Sequence, residues 1–183
     1  MFEAMVDPTG SPSADTTGPR LAARPGRLDG LVVGLVANPK KNAEPFLDAV
    51  GELLAAEHGT ADVVRTRKTS ITDPIPRDTL DELVQRCDVV LIGVGDCGSC
   101  SAAAVADGIA FEAAGVPAAV ICTDAFRVSA DAMARLQGSP GYTYVTTAHP
   151  VAPLDADGVR ERARVALPEL VGMLTSAVPA VAR

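Results

Sequence analysis

Apolar and polar positions fall into blocks whose lengths separate strands from helices. Leu31 to Ala37, Ala61 to Thr66, Asp88 to Val94, Ala118 to Cys122 and Tyr142 to Thr146 are short runs, several rich in β-branched residues, and each reads as a strand. Between them Ala43 to Glu57, Arg77 to Arg86, Ser101 to Ala114, Ser129 to Leu136 and Asp157 to Thr175 read as helices. Gly59 closes the first of these, and Leu80, Leu83 and Val84 share one face of the second. Pro168 lies inside the last helix and should bend or split it.

Alternating strands and helices imply a parallel sheet covered on both faces, with right-handed crossovers. The expected fold class is α/β: a three-layer sandwich around a five-stranded parallel sheet in the flavodoxin-like order 2-1-3-4-5. That order makes the first strand central and both outer layers helical. Before the first strand, the Pro- and Gly-rich opening has no sustained apolar period. Residues 1–29 are therefore expected as a flexible tail, with Arg20, Arg24 and Arg27 keeping it solvated, and residues 30–183 as a single α/β domain.

Composition then removes several classes of function. A net charge of −7 and a pI near 4.8 argue against nucleic acid, which needs a basic surface. Four Phe, two Tyr and no Trp give no stacking platform and few rings to sandwich a flavin, so no cofactor is predicted. No secretory leader and no apolar stretch of about 18 residues are evident, which points to a cytoplasmic protein without a membrane partner. In that reducing compartment a disulfide scaffold is not expected for the four cysteines.

Candidate chemistry collects where open α/β sheets bind ligands, at the carboxyl ends of the strands. Those ends carry Asn38 and Lys40, then Arg67, then Asp96-Cys97-Gly98-Ser99-Cys100, then Cys122-Thr123-Asp124, and finally His149-Pro150. The densest is the C-x-x-C, placed where an apolar strand turns into a helix. A thiol there meets unpaired backbone N–H groups and the positive end of the helix dipole, which favour the thiolate. A structural zinc site needs four Cys or His ligands, often as two paired clusters, whereas Cys87, Cys122, His58 and His149 are scattered singly, so no metal is expected. His58 reads as a helix-end residue, and Cys87, at the opposite end of the sheet, as structural.

The run Gly93-Val94-Gly95-Asp96-Cys97-Gly98-Ser99-Cys100, with Ile121-Cys122-Thr123-Asp124-Ala125-Phe126 and His149-Pro150 downstream, resembles the UGSC-type (seleno)proteins. These are similar in turn to the carboxyl-terminal region of the B component of glycine, sarcosine and betaine reductases. The resemblance spans roughly Leu31 to Leu174 and implies that Cys97 stands at a position often held by selenocysteine, with Cys100 as resolving thiol. Where the reductase components carry a further cysteine this chain has Ala103, so glycine reduction itself is not implied.

The expected function is a thiol-dependent enzyme for a small molecule, in which Cys97 attacks and Cys100 resolves, in reductive or C–S/C–N bond chemistry. Backbone N–H groups of Ser99 and Cys100 would hold developing charge. Asp96 would orient the loop or handle a proton, and His149 would serve as general acid or base. Lys40 and Arg67 are candidates for a substrate carboxylate, Asn38 for an amide contact, and Cys122, Thr123 and Asp124 for further substrate contacts. An external thiol or protein reductant would recycle the pair. A second copy of the chain or a partner enzyme subunit is left open. One alternative is a cofactor-independent enzyme resembling Asp/Glu racemases or a lyase, with Cys97 and Cys122 as an acid/base pair. Another is a non-catalytic accessory subunit of a larger complex.

Overall fold

A computed structural model describes residues 19–175. Its elements run β1 (Val32–Ala37), α1 (Ala43–His58), β2 (Asp62–Arg67), α2 (Arg77–Arg86), β3 (Val89–Gly95), α3 (Gly98–Ala113), β4 (Ala118–Thr123), α4 (Arg127–Leu136), β5 (Val145–Thr147) and α5 (Ala156–Thr175). A short 3-10 turn, Asp124–Phe126, leads from β4 into α4. The strands form one parallel sheet in the order β2-β1-β3-β4-β5, as the alternation of elements predicts. The order reverses between β1 and β3, and the carboxyl ends of these strands flank the crevice.

Two cores share the sheet. On one face α1 and α5 bury Phe46, Leu47, Leu54, Leu167, Leu170 and Leu174 against β1 and β3. On the other, α2, α3 and α4 bury Leu80, Leu83, Val105, Phe111 and Ala130 against β3 and β4. Every residue of β3 and of β4 is buried, so both strands are continuous apolar runs rather than alternating ones.

Three differences from the expected elements have local causes. α3 starts at Gly98 rather than Ser101, because Cys97 caps it. β5 is only Val145–Thr147; a turn closed by Tyr142 N–H donating to the Ser139 carbonyl (3.0 Å), with Gly141 at φ 82°, occupies the residues before it. α5 continues through Pro168 without splitting, its apolar face from Val159 to Leu174 held against α1.

The expectation of a solvated opening segment needs correcting within the described residues. Leu28 is 2% exposed, and the Arg24 side chain is 4% exposed and ion-paired to Glu112 of α3 at 2.6 Å. An extended chain carrying a guanidinium that reaches a buried carboxylate is held, not free. The remainder of that expectation, residues 1–18, lies outside the described residues.

Candidate functional site: a dithiol at the mouth of α3

β3 delivers Asp96 to the rim, and the chain turns into α3 through Cys97, whose extended backbone (φ −162°, ψ 168°) places its side chain over the helix end. The Cys97 sulfur accepts a hydrogen bond from the Cys100 N–H at 3.3 Å, satisfying one of the unpaired donors of the first turn. Cys97 and Cys100 are joined as a disulfide with their Cα atoms 5.2 Å apart, a span ordinary for such a bridge. The sulfurs are not equivalent: Cys97 is half-buried, whereas Cys100 is 1% exposed. Solution reaches the first, and the second stands behind it. The Ser99 hydroxyl, on the exposed side, lies 3.5 Å from the Cys97 sulfur.

Glycines keep this turn compact. A Cβ on Gly95 would come within 2.7 Å of the Ser101 hydroxyl and 2.9 Å of the Cys122 sulfur, and one on Gly98 within 3.2 Å of Ser129 in α4. At the first, any side chain would force Ser101 or Cys122 to shift, so glycine lets β3 and β4 converge under the dithiol without that displacement.

Asp96 organises the other half of the site. One carboxylate oxygen lies 2.9 Å from His149 Nδ1, and the other accepts the backbone N–H groups of Val151 (3.1 Å) and Ala152 (2.8 Å). The carboxylate is nearly buried, 5% exposed, and an ionised carboxylate only accepts. His149 Nδ1 must therefore carry a proton. The Thr123 hydroxyl donates to the Gly95 carbonyl (3.2 Å) and lies 3.3 Å from the same Nδ1, so its oxygen supports that tautomer. Phe126 packs edge-on against the ring at 5.2 Å, and Asp124 accepts the His149 backbone N–H at 3.0 Å. Nε2 has no hydrogen-bond partner among the described residues, on a ring that is 37% exposed. The His149–Pro150 bond is cis.

The remaining sequence candidates separate by position. Asn38 is buried and fully used: its amide donates to the Val94 carbonyl at 2.6 Å and its oxygen accepts the Lys40 N–H at 3.1 Å, which ties the ends of β1 and β3 together. Thr123 is likewise internal, an anchor for His149. Lys40 is half-buried in the same loop. Arg67 is engaged elsewhere, 3.5 Å from Glu44 and 3.5 Å from the Pro39 carbonyl, at the β2 edge on the α1 side. Cys122 is wholly buried, its thiol 4.0 Å from the Ser101 carbonyl, and burial pushes that thiol up to about 12. Instead of facing the rim it packs beneath it. Cys87, buried at the far end of the sheet, is pushed up to about 11 for the same reason. Among the described residues no group of three or more His, Cys, Asp or Glu is gathered as a metal site, and no helix is long and apolar enough to cross a membrane.

Two participants escaped the sequence reading. Asn42, in a left-handed conformation (φ 68°), places its amide within 3.1 Å of the carbonyls of Val151, Ala152 and Leu154. Between Asp96 and Asn42, the segment after His149 is strapped back across the rim to the β1 loop. Lys68, one residue beyond Arg67, turns to the opposite face and pairs with Asp107 of α3, both buried. The signal for it was available, since the segment Arg65 to Ser70 ends on the rim, but a strand end does not declare which of two successive cations points inward.

Fold and site together define an α/β protein with a redox-capable dithiol at a helix mouth beside a carboxylate-held histidine. The model of the UGSC family matches residues 4–176, and the chain belongs to that family. No curated protein matches it. A solved structure described as an ABC transporter permease from the Pseudomonas fluorescens group aligns at 15% identity and a TM-score of 0.37. The alignment covers 79% of this chain and 32% of that one, so this chain spans about a third of that protein.

Proposed function

We propose that this protein is a thiol-dependent enzyme acting on a small molecule, with Cys97 as nucleophile, Cys100 as resolving thiol and the Asp96–His149 pair moving the proton. The observation that carries the reading is the asymmetric dithiol: an accessible sulfur capping α3, bonded to a buried partner, one residue after a carboxylate that holds His149. In the reduced protein the Cys97 thiol gives its proton to His149 Nε2, and the thiolate is held by the Cys100 N–H and the helix dipole. It attacks an electrophilic carbon or sulfur of the substrate, forming a bond to sulfur, while His149 returns the proton to the leaving group. Cys100 then attacks the Cys97 sulfur, the substrate fragment departs with the bonding electron pair, and an external dithiol reduces the resulting disulfide.

The same placement weakens the acid/base pairing of Cys97 with Cys122. A wholly buried thiol pushed up to about 12 has no access to a substrate at the rim.

Trapping tests the proposal. Reduced Cys100→Ser protein, incubated with a panel of small disulfides and α-substituted carboxylic acids, is expected to accumulate a covalent adduct on Cys97 by intact-protein mass spectrometry. Cys97→Ser should fold, form no adduct and turn nothing over. Dithiol-dependent turnover that survives in folded Cys97→Ser would overturn it.

A further inference from the structure

Asn42 stands at the N-cap of α1, and its side chain is turned away from the work that position ordinarily gives it. An asparagine there normally has extended backbone and sets its side-chain oxygen on a free N–H of the helix's first turn. Asn42 instead lies in the left-handed region (φ 68°), alone in this among the non-glycine described residues, and makes no capping bond to α1. Its amide nitrogen donates to the carbonyls of Leu154 (2.9 Å), Val151 (3.0 Å) and Ala152 (3.1 Å), 109 to 112 positions along the chain. A side chain that served the helix alone would cap it.

The segment held in this way carries His149. Residues 148–155 run from β5 to α5 without helix or strand of their own. One oxygen of Asp96 accepts the N–H groups of Val151 and Ala152, and the other lies against His149 Nδ1 at 2.9 Å. The same two residues are therefore gripped from both sides, their N–H groups by a carboxylate at the end of β3 and their carbonyls by an amide from the loop after β1. The other side-chain bonds to the segment's backbone are at the surface: Asp124 accepts the His149 N–H at 3.0 Å, and Arg162 donates to the Ala148 carbonyl at 2.7 Å. The Val151 side chain, 1% exposed, anchors the segment in the core but leaves its peptide groups free to turn.

We propose that Asn42 is a positioning residue for His149: its amide fixes the 148–155 segment against Asp96, so that Nδ1 keeps its bond to the carboxylate and the ring holds one tautomer. This role rests on the reading above, in which the Asp96–His149 pair moves the proton of Cys97, and adds what keeps that pair in register. The chemistry of position 42 makes the role separable from the backbone. Glycine adopts positive φ without penalty and removes the amide. Aspartate keeps the shape, but its carboxylate has no proton to give and would face three carbonyl oxygens.

The experiment compares reduced full-length wild type, Asn42→Gly and Asn42→Asp by nitrogen NMR of the neutral imidazole rings. The chain has two histidines, and His58, at the other end of α1, is the internal control. Wild-type His149 is expected as a single tautomer with its proton on Nδ1, and both variants as mixtures, with His58 unchanged. A loss of stability alone would leave the tautomer of the folded protein as it was. A folded variant that keeps the single wild-type tautomer overturns the role of Asn42, as does a wild type that already mixes the two. If one variant fails to fold, the other decides. In the same samples alkylation of Cys97 by iodoacetamide is expected to slow by up to about 10²-fold, the cost of about an ångström of misplacement. Mixed tautomers with Cys97 alkylating at the wild-type rate uphold Asn42 as the holder of His149 and overturn the proton transfer between His149 and Cys97 instead.

Discussion

Each end of α3 carries a buried carboxylate with a basic partner, and the two ends differ in what they leave open. At the carboxyl end Glu112 accepts from both terminal nitrogens of Arg24 (2.6 and 2.7 Å) and from the N–H groups of Ala22 and Ala118 (2.7 and 2.9 Å). Both side chains are sealed, at 0% and 4% exposure. At the amino end Asp96 is equally saturated, but its partner His149 is 37% exposed, and the residue that follows Asp96 is the half-buried Cys97. Burial and pairing of charge are common to both networks. What separates a clasp from a site is an unfinished partner that solvent and substrate can reach.

The comparison breaks most sharply at the clasp. Removing Glu112 as Glu112→Ala strands a buried guanidinium, and such losses cost roughly 3–5 kcal/mol. Urea denaturation should register that loss, while the alkylation rate of Cys97 in the folded fraction stays as in the wild type. A matched loss of Cys97 reactivity would join the two ends that the structure separates.

At the open end, Asp96→Asn keeps the shape and removes the acceptor-only carboxylate that sets the His149 tautomer. Turnover of any substrate found by trapping is expected to fall about 10²-fold or more, as when general acid–base assistance is lost, with a stability cost of only about 1–3 kcal/mol for the weakened bonds to Val151 and Ala152. Equal kinetics in the variant would reduce Asp96 to a loop anchor. Gly95→Ala is the packing counterpart. With Ser101 and Cys122 within 2.9 Å of the added methyl, about 1–3 kcal/mol of overpacking is expected, readable as a lower melting temperature.

The smallest effect concerns Cys122 and pH. Its folded thiol is pushed up to about 12 from an ordinary 9.0, so between those values the unfolded chain loses the proton while the folded chain keeps it. Stability therefore falls as pH rises through that window. Cys122→Ala should show a shallower decline than the wild type in urea midpoints measured from pH 9 upward.

The order of the sheet was legible because each element announces itself locally, and the dithiol because its two cysteines are neighbours. The start of α3 was missed because a cysteine is not among the residues expected to cap a helix. Pairings over distance were not legible. Asp96 and His149 are 53 positions apart and Lys68 and Asp107 are 39 apart, so only the folded sheet brings each pair together. Cys122 and Thr123 read alike at a strand end. Since all of β4 is buried, no alternation of polarity told which side chain turned toward the rim and which beneath it. The Arg24 clasp was hidden by a Pro- and Gly-rich segment whose composition resembles that of unanchored chain.

The central claim is that Cys97 is the reactive thiol, and cysteine-by-cysteine alkylation of the reduced protein tests it most directly. Iodoacetamide labelling across pH, read by peptide mass spectrometry, should give Cys97 an apparent pKa well below about 8.5, the free-thiol reference. Cys100 should label later, and Cys87 and Cys122 only on unfolding. A Cys97 that labels no faster than a free peptide thiol, with an apparent pKa at or above that reference, would contradict the account.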